Sequence, residues 1–174
     1  MALAPSNTML LIAAWPDNLV APELVIWGMT HRFRRLHWYN RRFVECAYNS
    51  AIKRLALPSE CDHFIFADRD MRPGPETEPF LDAPGELVVC HYDVAANESW
   101  DDPQALHCGL WRCSRRVLES IQPPWFQRVL SADGTDEERC VCMHFRDKAI
   151  AAGFTVVRAG RCGHDVKAYG PKAR

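Results

Sequence analysis

No stretch of this chain comes near the ~20 consecutive apolar residues that a membrane-spanning helix needs. The opening residues, Met1-Ala2-Leu3-Ala4-Pro5, have neither a basic segment nor a long apolar core, so no secretory leader is expected and a cytoplasmic protein is. Net charge is almost missing as well. Lys and Arg number 21 against 22 Asp and Glu, a formal balance of −1, which speaks against dedicated nucleic-acid or membrane-surface binding. Internal repeats and low-complexity segments are absent. Basic residues cluster only locally, at Arg32, Arg34, Arg35, Arg41 and Arg42, either as a solvated helix face and turn or as a patch that meets a phosphate-bearing ligand.

What is present is a core. The 174 residues are 48% apolar, with six Trp and eight Phe, enough for one domain spanning 1–174 and too short for two. Residues 1–7 and 170–174 read as loose ends. Thr8 to Ala14 is a continuous apolar run, the pattern of a strand buried on both faces. Pro22 suits a first helical turn. Val44, Ala47, Tyr48, Ala51, Ile52 and Leu55 recur at three- and four-residue steps, predicting a helix that ends before Pro58. Strands are predicted at Phe64–Ala67, Leu87–His91, Leu106–Cys113 and Phe154–Val157. Helices are predicted from Ser114 to Ile121 and over Val141–Ala152, the second capped by Gly153. Little room for strands is left between Ala14 and Val44. Alternating strands and helices imply an α/β domain with a mostly parallel central sheet flanked by helices.

The segment His63-Phe64-Ile65-Phe66-Ala67-Asp68-Arg69-Asp70 carries the chemistry. A short apolar strand delivers two carboxylates, one residue apart, to its C-terminal end, where open α/β sheets place ligands. Residues i and i+2 of an extended chain point the same way, so Asp68 and Asp70 can converge on one hard cation. Around them the order is specific. A helix with Ala47-Tyr48-Asn49-Ser50-Ala51 precedes the strand. His107-Cys108-Gly109-Leu110, an acidic loop from Asp133 to Glu138, Ala152-Gly153-Phe154 and His164 follow it.

That order resembles the family-2 glycosyltransferases of the GT-A fold, over roughly Val44 to Tyr169. The resemblance implies a compact GT-A-like domain that moves a sugar from a nucleotide-sugar donor to a glycan, lipid or protein acceptor. It implies Mn²⁺ or Mg²⁺ at Asp68, Asp70 and His164, with Asn49, Arg69 and Gly109 also at the nucleotide site. Asp133, Glu137 and Glu138 become the candidates for the base that deprotonates the acceptor. Where the family usually carries paired acids at the start of its late helix, this chain has Val141 and Cys142. Two other readings follow from the residues. One is a degenerate domain that only binds a glycan or partner. The other is a metal-dependent phosphoryl or nucleotidyl transferase, since Asp-x-Asp on a strand end also serves two-metal sites.

Eight cysteines in a reducing compartment suggest buried thiols or metal ligands before disulfides. Cys140-x-Cys142 and Cys162-x-His164, nineteen residues apart, have ligand types that suit tetrahedral zinc. A fourth ligand would come from Cys108, Cys113, His107, His144 or His164. Of Cys108 and Cys113, placed on one strand at odd spacing, only one should reach such a site. The tryptophans read as packing residues, with loop-borne Trp100 also a candidate sugar platform.

Overall fold

A computed structural model describes residues 3–14, 20–40, 43–94 and 99–164 of the chain. Trp15, the Pro16-Asp17-Asn18 turn, Arg41, Arg42 and the end from 165 onward lie outside the described residues, as do the side chains of 35–40. The centre is a six-stranded sheet in the order β2-β1-β3-β6-β5-β9. Its strands are β1 (Thr8–Ala14), β2 (Arg35–Asn40), β3 (His63–Asp68), β5 (Leu87–His91), β6 (Leu110–Ser114) and β9 (Val156–Arg161). β6 alone runs against the other five, so the sheet is mostly parallel. Two small ladders complete the strands. β4 (Met71–Arg72) pairs with β10 (Gly163–His164), and β7 (Val129–Leu130) pairs with β8 (Glu137–Arg139).

The pleat explains the two cores. Met9, Leu11, Phe64, Phe66, Leu87, Val89, Trp111 and Cys113 face one side, while Leu10, Ile12, Ile65, Ala67, Val88, Cys90 and Leu110 face the other. The first side is covered by α2 (Val44–Ala51), which runs on as a wider turn through Ala56, and by α5 (Val141–Ala151). Aromatic rings fill it. Phe66 stacks on Trp111 at 4.3 Å, and Phe126 stacks on both Phe145, at 4.7 Å, and Tyr48, at 4.8 Å. The second side packs against α1 (Pro22–Thr30) and α3 (Glu78–Asp82). The short α4 (Arg115–Ser120) follows β6 directly.

Three features depart from the sequence expectation. β2 occupies the span where no strand was expected; its Arg-Leu-His-Trp-Tyr-Asn composition lacks the unbroken aliphatic run that marks β1. β6 begins only at Leu110, so Cys108 lies before the strand and joins the same core side as Cys113. β9 starts later than Phe154, because the Phe154 N–H still closes the end of α5 on the Ala149 carbonyl, and it runs on to Arg161. Within it Gly160, at φ 72°, lies where a Cβ would sit 3.0 Å from the Phe80 nitrogen. This glycine bulge breaks the β5–β9 register and carries the chain across to β10.

Candidate functional site

β3, β5 and β9 are parallel, so Asp68, His91 and Arg161 end at one edge of the sheet. Asp68 is tied down there twice. Its N–H donates to the Gly109 carbonyl at 2.7 Å, and its Oδ1 lies 2.9 Å from the Tyr48 hydroxyl. The same hydroxyl is 2.8 Å from the Cys108 carbonyl. Burial pushes the Asp68 carboxyl up to about 7; the Tyr48 hydrogen bond opposes this and the Asp70 charge adds to it.

Past Asp68 the chain turns, with the Arg69 carbonyl accepting the Ala21 N–H at 2.7 Å. The Arg69 charge pulls the Asp68 pKa down. β4 then sets Met71 opposite His164 of β10, which brings the imidazole beside Asp70: His164 Nε2 is 3.4 Å from Asp70 Oδ2. The two side chains are only 12% and 13% exposed. The other Asp70 oxygen, Oδ1, is buried with no hydrogen-bond partner among the described residues. His164 Nδ1 lies 2.9 Å from the Asp93 carbonyl. A carbonyl can only accept, so Nδ1 carries the hydrogen and Nε2 is left for Asp70 or a cation. The Asp70 carboxylate raises the His164 pKa against the effect of burial.

Gly109 is required for close approach. A Cβ there would lie 2.5 Å from Cζ of Tyr92, whose hydroxyl oxygen accepts the Gly109 N–H at 2.8 Å. The Tyr92 ring in turn meets His164 edge-on at 5.2 Å. Asn49 is committed elsewhere: its amide donates to the Phe126 carbonyl at 2.7 Å and accepts the Phe126 N–H at 3.0 Å. Both ends of that side chain brace the core. Trp100 is half-buried, its ring meeting His91, Tyr92, His107 and the Arg158 guanidinium.

The acidic loop is exposed. Asp133 accepts hydrogen bonds from the Ser131 hydroxyl at 2.6 Å and from the Thr135 hydroxyl and N–H at 2.8 and 3.1 Å, which hold its carboxyl down at about 2. A carboxylate so satisfied is a weak base. Glu137 sits 3.7 Å from Arg128, and Glu138 follows it on β8.

Three of the cysteines named for zinc meet, Cys142 sharing thiol hydrogen bonds with both Cys108 and Cys140, while Cys162 packs elsewhere. Cys140 caps α5, its sulfur accepting the Met143 N–H at 3.5 Å, and Cys142 packs on the same core side as Cys108 and Cys113. Cys162 lies across the sheet, with Cys90. His107 Nε2 is engaged 2.9 Å from the Ser99 carbonyl, and His144 stands on α5. Among the described residues no group of three or more His, Cys, Asp and Glu side chains stands ready to hold a metal. Asp70 and His164 are paired with each other, and Asp68 is turned toward Tyr48.

No protein-family model matches the chain, and no curated protein does. Solved structures match it closely enough to settle the fold. The STIV protein A197 superposes with a TM-score of 0.60 at 15% identity, over 90% of this chain and 83% of its own. The inositol-1-phosphate CTP transferase from T. maritima gives 0.50 at 9% identity, over 97% and 94%. The fold is GT-A-like. A glycosyltransferase involved in glycosylation of the major capsid of PBCV-1 stands further off, at 0.49 and 9% identity over 90% and 92%. Among the described residues no helix is long and apolar enough to cross a membrane.

Tyr48, Tyr92 and the Asp93 carbonyl are the site components that sequence reasoning missed. Tyr48 lay inside a quoted motif, one residue before Asn49, and a backbone carbonyl leaves no trace in a sequence.

Proposed function

We propose that this chain is a transferase for nucleotide-linked sugars that works with Mn²⁺ or Mg²⁺ held by Asp68, Asp70 and His164. What carries this reading is Asp70 Oδ1, buried without a hydrogen-bond partner among the described residues, on a carboxylate whose other oxygen faces Nε2 of His164. An uncompensated carboxylate oxygen costs free energy that a hard cation removes. Such an ion would neutralise charge gathering on a departing nucleotide diphosphate. The chain's own part is orientation: the Asp93 carbonyl fixes the His164 tautomer, Gly109 and Tyr48 fix Asp68, and the β4–β10 ladder joins the two halves of the site. For the acceptor's proton we assign Glu138, the acid of the three that carries neither the Asp133 turn bonds nor the Glu137 contact to arginine.

Zinc is not part of this proposal: Cys162 packs with Cys90 in one core cluster, whereas Cys142 packs against the other. A nucleotidyl-transfer reading is favoured by one observation, the likeness to a CTP transferase over nearly the full length of both chains. The test is a thermal-shift panel of nucleotide sugars with and without Mn²⁺, followed by turnover in wild type and Asp70→Ala. Stabilisation by a nucleotide sugar only with Mn²⁺, and nucleoside diphosphate release abolished in Asp70→Ala, is expected. Pyrophosphate release from a nucleoside triphosphate would establish the nucleotidyl-transfer reading instead. No response to any nucleotide would leave a glycan- or partner-binding domain.

A further inference from the structure

We infer that Tyr48 is a positioning residue for cation binding: its hydroxyl holds Oδ1 of Asp68, so that the other carboxylate oxygen is presented to the ion. The inference rests on the cation site proposed above and reaches a residue outside it. Tyr48 is fully buried on α2 among Phe66, Trp111 and Phe126. Phenylalanine would pack there as well, so packing does not account for the hydroxyl. Two oxygens beside it, Asp68 Oδ1 at 2.9 Å and the Cys108 carbonyl at 2.8 Å, do.

The ring has little freedom to turn away. Its stacking partner Phe126 is gripped on both backbone groups by Asn49, the next residue of the same helix, and rests on Phe145. The Asp68 main chain is meanwhile fixed to Gly109. The two acids therefore differ: one oxygen of Asp68 is oriented by the Tyr48 hydroxyl, whose single hydrogen it shares with the Cys108 carbonyl, whereas Oδ1 of Asp70 has no hydrogen-bond partner among the described residues. Groups that orient a ligand's carboxylate typically matter about 10- to 100-fold in metal affinity.

The experiment titrates the full chain with Mn²⁺, reading free ion by electron paramagnetic resonance, in wild type and Tyr48→Phe. Melting in EDTA accompanies each titration. Tyr48→Phe is expected to melt cooperatively and to bind Mn²⁺ about tenfold or more weaker. Equal affinity in the two proteins overturns the positioning role while leaving the cation site standing. Absence of Mn²⁺ binding in wild type overturns the site itself. A structure of wild type with Mn²⁺ provides a check that needs no variant: Oδ1 of Asp68 stays within hydrogen-bond reach of Tyr48, and finding it swung onto the ion overturns the inference.

Discussion

Gly109 and Asp68 show how far single residues govern this site. A methyl group on Gly109 would meet the Tyr92 ring at 2.5 Å, and that ring backs His164. Gly109→Ala is therefore expected to lower the melting temperature by several degrees, a cost of roughly 1–3 kcal/mol. It should also weaken Mn²⁺ binding, measurable in the same titration that tests Tyr48. Asp68 makes the pH prediction. Its native pKa of about 7 lies above the ordinary 3.8, so between those values the native state keeps a proton that the unfolded chain has lost. Stability contributed by this group falls as pH rises through that window. Asp68→Asn cannot ionise, so its advantage over wild type in urea unfolding with EDTA should grow from pH about 4 to about 8. His164, also raised, contributes stability that is complete below its ordinary 6.5 and lost as pH climbs past its raised value. The two acids were legible in the sequence because spacing and strand position mark them. The tyrosines were not, since a hydroxyl in the core looks like any other aromatic until its neighbours are known.

Elements were legible where burial imposes a period. β1 and β3 declared themselves by unbroken apolar runs, and α2 by its three- and four-residue steps. β2 escaped because an outer strand, bonded on one side, does not need a run buried on both faces. The β4–β10 and β7–β8 ladders escaped because two or three residues carry no periodicity at all. β6 hides a different device. Arg112, 2% exposed in the middle of this buried strand, donates to the carbonyls of Phe80, Ala83 and Gly85 and lies over the Phe80 ring. It fastens the end of α3 and the following turn to the sheet, and burial pulls its pKa down to about 10. Arg112→Met removes three donors from buried carbonyls. It is expected to cost about 3–5 kcal/mol in urea unfolding, far more than a surface arginine such as Arg116 would.

At the scale of the whole molecule, strand order brings distant sequence together. The alternation of elements implied a mostly parallel sheet, and the sheet has that form with one reversed strand. It could not reveal that Cys162 and Cys142 would fall on opposite sides, because ligand spacing says nothing about which face a strand turns outward. The glycine bulge in β9 has a mechanical consequence. His164 reaches Asp70 through a ladder of only two rungs, helped by the bonds of Cys162 to His91 and of His164 to Asp93, so an ion there would act as a further rivet between β4 and β10. Limited proteolysis should then report occupancy without any assay of turnover: cleavage after Arg161 is expected to slow in Mn²⁺ and to quicken in EDTA. Loading would thus show as a tighter grip on the stretch from Arg161 to His164, which in the empty protein relies on its own bonds to Thr77, His91 and Asp93.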